Sequence, residues 1–150
     1  MKYIDDLIEY CNQAKAAKPV QTFELTNLSQ LESLTHGIYI IEQVDGDIEQ
    51  TFADLSAFKK TKARACPKLN RPSSVMYVGS STTGLKKRIV QHLGDGPKQT
   101  YALHLSHWFR GKYRITIRVY SESPEVIQII EDAISFDLAP AFGKQGGNNK

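Results

Sequence analysis

The chain has 150 residues, 41% hydrophobic and 23% charged, with ten glycines and six prolines, values that exclude a collagenous or disordered chain and fit one globular domain. No apolar run approaches the roughly 18 residues of a membrane span, and Met1-Lys2-Tyr3-Ile4-Asp5-Asp6 lacks the basic and apolar regions of a signal peptide, so a soluble, unprocessed protein is expected. The net charge of +3 hides an asymmetry: residues 1–54 carry 3 Lys/Arg against 10 Asp/Glu and residues 121–150 carry 2 against 5, whereas residues 55–120 carry 14 against the single acid Asp95, a block able to attract a polyanion, phosphates above all.

In chain order, Ile4, Leu7, Ile8 and Cys11 fall at helical spacing before Pro19, which predicts an amphipathic helix with a core face. The leucines at 28, 31 and 34 suggest a short second helix. Residues 37–42, Gly-Ile-Tyr-Ile-Ile-Glu, read as a buried strand. A turn at Asp45-Gly46-Asp47 is followed by a short strand over Ile48–Phe52 and a helix over Ala53–Ala65 that becomes strongly basic before Pro67 and Pro72. Val75-Met76-Tyr77-Val78-Gly79 is a second strand, Ser80 to Gly84 a polar loop, and Leu85–Leu93 a helix. Tyr101, Leu105 and Trp108 have helical spacing, and residues 113–120 alternate as a half-buried third strand. Ser123-Pro124 opens a last helix that runs to about Asp137, with Pro140 beyond it. Cys11 and Cys66 have no CxxC or Cys/His spacing, so they read as inert small apolar residues of a reducing cytoplasm rather than a disulfide or zinc framework.

At about 100° per residue, Arg88 and His92 lie one turn apart at the edge of the stripe Leu85, Ile89, Leu93, and Glu131 borders the apolar face of the last helix while Asp132 points away from it. Each of these alone reads as a solvated rim residue or half of an ion pair more readily than as a catalytic group. Tyr39 and Tyr77 alone read as core aromatics with satisfied hydroxyls. His104, His107 and Trp108 read as packing residues.

Taken as an ordered set, Gly37-Ile38-Tyr39, Tyr77-Val78-Gly79, Leu85-Lys86-Lys87-Arg88 with His92 one turn on, and Glu131 in a late helix resemble the GIY-YIG nuclease family over residues 36–143. The resemblance implies an α+β fold, a small three-stranded antiparallel sheet flanked by helices. To it this chain would add a helical N-terminal extension (1–35), a basic insertion (43–74) and a polar tail (143–150). It implies metal-dependent hydrolysis of phosphodiester bonds in DNA. Tyr39 would be the general base, Tyr77 would hold the attacking water or a phosphate oxygen, Arg88 would neutralise phosphoryl charge, and His92 would fill the site one turn on. Glu131 would be the only protein ligand of one Mg²⁺ or Mn²⁺, in keeping with a cation that retains several waters. Gly37 and Gly79 belong to the two motifs.

Departures from the family pattern shape the remaining expectations. The two tyrosines are 38 residues apart where simple members have a short hairpin, so Lys59, Lys60, Lys62 and Arg64 of the insertion, with Lys86 and Lys87, are expected to contact DNA. Ser80 stands where excision-repair members carry Lys, a place Lys86 or Lys87 would take. The family's late Asn falls on Gly143, leaving Asn148 or Asn149 to supply that amide if the tail folds back. The alternative to an endonuclease is a non-cleaving nucleic-acid-binding module on the same fold. No base-reading motif accompanies the set.

Overall fold

The computed structural model describes residues 1–147. The elements run α1 (Lys2–Ala16), β1 (Gln21–Glu24), β2 (Gly37–Asp45), α2 (Ile48–Lys60), β3 (Val75–Ser81), α3 (Leu85–Leu93), β4 (Lys112–Val119) and α4 (Pro124–Leu138), with single 3-10 turns at Leu28–Leu31 and Leu105–His107. This is an α+β fold built on an open antiparallel sheet of order β1-β4-β2-β3. Among the described residues no helix is long and apolar enough to cross a membrane.

Four strands rather than the expected three correct both the sheet and the wholly helical reading of residues 1–35. β1 pairs along β4 from Gln21↔Val119 to Glu24↔Thr116. Four residues with Phe23 as the one large apolar side chain are too short for an alternation signal. The strand is ordered instead by the open edge of β4, whose backbone groups need partners. The strand expected over Ile48–Phe52 is the first part of α2. Its start is fixed by Asp47, whose side chain accepts hydrogen bonds from the Glu49 and Gln50 amides at 2.9 and 3.3 Å, a capping contact that outweighs the β-propensity of Ile48 and Thr51. The helical spacing at 101–109 yields only one 3-10 turn, because His104 has φ +52°, which a continuing α-helix does not allow. The expected core face of α1 is also corrected: Ile4, Leu7 and Ile8 are 43%, 43% and 55% exposed, and only its C-terminal part, through Tyr10 and Ala14, packs on the body.

The strand alternation of β2 assigns the two faces of the sheet. Ile38 joins Tyr120, Val126, Ile127 and Ile130 under α1 and α4. Tyr39 and Ile41 face the other way, into the larger core with Leu55 of α2, Leu85 and Ile89 of α3, Ile115 and Ile117 of β4, and Phe142. β3 is the edge strand on the side opposite β1. Its outer edge is covered by the segment that follows α4: Ala141 and Phe142 amides donate to the Val75 and Met76 carbonyls at 2.8 and 3.0 Å. Asn70, from the insertion, pins that segment by donating its side-chain amide to Pro140 O and Gly143 O at 3.0 and 2.8 Å. Residues from both faces of the sheet and from the C-terminal segment therefore meet around β3.

Candidate active site

Tyr39 and Gly79 are paired neighbours across β2 and β3, so the Tyr39 ring lies over the glycine. A Cβ on Gly79 would fall 2.4 Å from the Tyr39 hydroxyl, which gives this glycine a steric reason to be present. Tyr77, two residues earlier on the same face, stacks on Tyr39 with ring centroids 6.2 Å apart and planes 7° from parallel. Gly143 (φ +88°) abuts the far side of Tyr77; a Cβ there would lie 2.7 Å from the ring. The Asn that the resemblance leads one to expect at this position has no room. Gly37 has a packing role, its missing Cβ leaving space for Leu85. Gly79→Ala is expected to lower stability by about 1–3 kcal/mol, the scale of overpacking a filled core, as read by urea denaturation. An unchanged midpoint would show that the Tyr39 hydroxyl is not held at this place.

α3 contributes Arg88 and His92 one turn apart; Arg88 has the partly sheltered edge position the helical wheel gave, and His92 does not. Arg88 is partly sheltered and reaches the cleft: its guanidinium donates to Gln91 Oε1 at 3.1 Å, to the Tyr101 carbonyl at 2.9 Å and, at a long 3.4 Å, to the Tyr77 hydroxyl. Burial works against its charge, but the two tyrosine hydroxyls outweigh that and raise its pKa, so it is a fixed cation. His92 is not on the rim; it is fully buried. Its Nδ1 accepts from the Leu103 amide at 3.1 Å. Because that nitrogen is an acceptor, the proton of the neutral ring sits on Nε2, which donates to the Tyr39 hydroxyl oxygen at 2.9 Å. His92 thus orients Tyr39 and does not reach into the cleft.

Burial, and next the charge of Arg88, hold the His92 pKa well below the usual histidine value. The unfolded chain takes up this proton as pH drops below about 6.5 while the folded protein does not. Stability is therefore expected to fall from pH 6.5 to 5 in denaturation profiles. A flat profile across that interval would contradict a buried neutral His92. Tyr39 is likewise a neutral phenol: burial is the largest effect and raises its pKa, Tyr77 raises it further, and Arg88 lowers it without compensating.

Glu131 comes from α4, on the opposite face of the sheet, and is only 5% exposed. Ser80, the β3 residue that points to that side, donates its hydroxyl to Glu131 Oε1 at 2.6 Å, and Gln128 donates to Oε2 at 3.3 Å. Lys144 forms an ion pair with Glu131 Oε2 and another with Asp132 Oδ1 at 2.6 Å. Sequence reasoning missed Lys144. The signal available was a cation directly after Gly143, in a segment (121–150) with five acids against two bases. Of Lys86 and Lys87, expected to stand in for the lysine absent at Ser80, Lys86 is engaged with Glu32 and Lys87 is exposed outside the cleft; the ammonium beside Glu131 is that of Lys144. Among the described residues no cluster of three or more His, Cys, Asp or Glu is placed to hold a metal. A divalent cation here would rest on Glu131, solvent and substrate oxygens. Such an ion would take the place that the Lys144 ammonium holds at Oε2.

These groups line one open cleft of about 510 Å³, bounded by Tyr39, Tyr77, Arg88, Glu131 and Lys144 with Tyr101 at its lip. Beside it, Lys59, Lys62 and Arg64 line a second hollow, while Lys60 and Lys87 are exposed outside both. Asn148 and Asn149 lie outside the described residues. Comparison with models of protein families, with curated proteins and with solved structures finds no match for this chain.

Proposed function

We propose that the cleft hydrolyses phosphodiester bonds in DNA in a metal-dependent reaction, as an endonuclease of the GIY-YIG type. The observation that carries this reading is the convergence of Tyr39, Tyr77, Arg88 and Glu131, from four separate elements, on one cleft. Two aromatic hydroxyls, a fixed guanidinium and one sheltered carboxylate suit attack of water on phosphorus better than acyl transfer, for which a nucleophile and base pair would be needed.

Arg88 meets the non-bridging oxygens of the substrate phosphate and offsets the charge that gathers on them as water adds. Tyr77 hydrogen-bonds the same phosphate or the incoming water. Tyr39, its oxygen held by His92 Nε2–H, orients the water and, once its own proton has gone to solvent, takes up a proton from that water as the P–O bond to the leaving strand breaks; solvent protonates the departing oxygen, giving a phosphomonoester and an alcohol. A phenol with a raised pKa is a poor base on its own. Glu131 would hold the divalent cation, which when bound supplies positive charge to the phosphate and to the Tyr39 oxygen. The basic hollow next to the cleft supports a polyanionic substrate.

The ion pair of Lys144 with Glu131 favours one second reading, a nucleic-acid-binding module in which the carboxylate is neutralised internally and no bond is cut. Incubation with supercoiled plasmid at low salt separates the two. The nuclease is expected to convert it to nicked or linear forms in Mg²⁺ and to leave it intact in EDTA, whereas retention of the supercoiled form under both conditions, with binding preserved, supports the module.

A further inference from the structure

The hollow beside the cleft has a volume of about 530 Å³ and is lined by Lys59, Lys62, Arg64 and Lys98, with no acid on its wall. Its floor is built by backbone pairing of two segments, Ala65 N donating to Lys98 O at 2.7 Å and Ala102 N to Ala65 O at 3.4 Å. Two of its cations are held in place by backbone carbonyls: Lys59 Nζ donates to Pro67 O at 3.0 Å and Arg64 to Gly96 O at 2.9 Å. Lys62 follows the Thr61 C-cap of α2 at φ +58°, a position where glycine is the ordinary residue and a lysine is disfavoured. Packing gives no reason for a lysine there, since Lys62 is exposed.

Tyr101 stands between the two cavities and lines both. It is 69% exposed, and among the described residues its ring stacks on no other aromatic side chain. Its backbone is anchored, the carbonyl accepting from Arg88 at 2.9 Å. An exposed ring on a fixed backbone, with the Arg88 guanidinium on one side and a cationic hollow on the other, has the composition of a single-strand subsite, where bases stack on aromatic rings and cations follow the phosphates.

Resting on the reading of the cleft as a nuclease site, we infer that this hollow binds the nucleotides flanking the scissile phosphate in unpaired form, with one base stacked on Tyr101 and the adjoining phosphates held by Lys62 and Lys98. The substrate class is then DNA that is single-stranded or unpaired next to the cut.

The test titrates the whole protein in EDTA with a single-stranded oligonucleotide carrying 2-aminopurine and with a blunt duplex of the same sequence, and reads plasmid nicking in Mg²⁺ separately. The wild type is expected to quench 2-aminopurine. Tyr101→Ala is expected to abolish the quenching and raise the Kd for the single strand by about 5- to 150-fold, the range for loss of one stacked base, with duplex affinity unchanged; Tyr101→Phe restores both. Lys62→Gly combined with Lys98→Gln is expected to flatten the slope of log K against log salt by about 1.4, two single-stranded phosphate contacts. Lys62→Gly alone should not lower the Tm, because glycine suits the backbone there, so weakened binding cannot be ascribed to misfolding. Single-strand affinity unchanged in Tyr101→Ala, or an unchanged salt slope in the lysine variant, overturns the inference; if nicking persists in that case, the nuclease reading stands without it. If the binding results hold while the wild type nicks nothing, the subsite stands and the nuclease reading falls.

Discussion

Glu131→Gln is expected to abolish Mg²⁺-dependent cleavage, a loss of at least about 10²–10³ in rate, while DNA affinity stays close to that of the wild type. The substitution is nearly isosteric, and the amide oxygen can still accept from Ser80, whose hydroxyl now donates to Oε1 at 2.6 Å. Lys144 keeps Asp132 as partner, so the C-terminal segment remains docked. What disappears is the one sheltered negative charge in the cleft able to hold a cation. Single-turnover cleavage across a Mg²⁺ titration, beside a binding titration in EDTA, reads both quantities. Wild-type activity with an unaltered Mg²⁺ dependence would remove Glu131 from the metal-holding role.

Arg88→Ala and Tyr39→Phe are each expected to lower the single-turnover rate by at least about 10², the scale of losing a charge stabiliser or a general base. The two changes differ in what else they do. Arg88→Ala also releases the Tyr101 carbonyl and Gln91, so some loss of substrate affinity accompanies it. Tyr39→Phe keeps the ring stack but leaves the buried His92 Nε2–H without an acceptor, which costs about 1–3 kcal/mol and is read by denaturation. A Tyr39→Phe protein with an unchanged cleavage rate at saturating DNA would leave Tyr39 a packing residue. Because His92 acts through Tyr39, its replacement should reproduce the Tyr39→Phe rate loss rather than alter phosphate binding.

The parts of the molecule legible in the sequence are those where local pattern and tertiary demand agree. The three longer strands, α3 and α4 follow from continuous β-branched or aromatic runs and from apolar stripes, and Ser123-Pro124 marks the start of α4 as capping chemistry requires. Tyr39, Tyr77, Arg88 and Glu131 were legible as a set because their order and residue types formed one pattern, although no one of them stood out by itself. What was not legible depends on long-range contacts. β1 exists because β4 offers it an edge. The burial of His92 depends on the Leu103 amide, 11 positions away, in a segment whose spacing wrongly suggested a helix. Lys144 reaches Glu131 only because the chain reverses after α4 at Ala139 (φ +47°) and is pinned by Asn70 from the insertion, a contact no periodicity encodes. The same reversal gives Gly143 its place against Tyr77 and explains in steric terms why an amide side chain is missing there.

In the proposed reaction, water oriented by Tyr39 beside the Arg88 guanidinium displaces one strand from a phosphodiester in this cleft. Cleavage in ¹⁸O-labelled water under single-turnover conditions with Mg²⁺, followed by mass analysis of the product ends, tests it most directly. ¹⁸O is expected in the terminal phosphate of the product, with no DNA covalently attached to the protein and no product in EDTA. Cleavage equal in EDTA, product phosphate without the label, or no cleavage by the wild type in Mg²⁺ would contradict it.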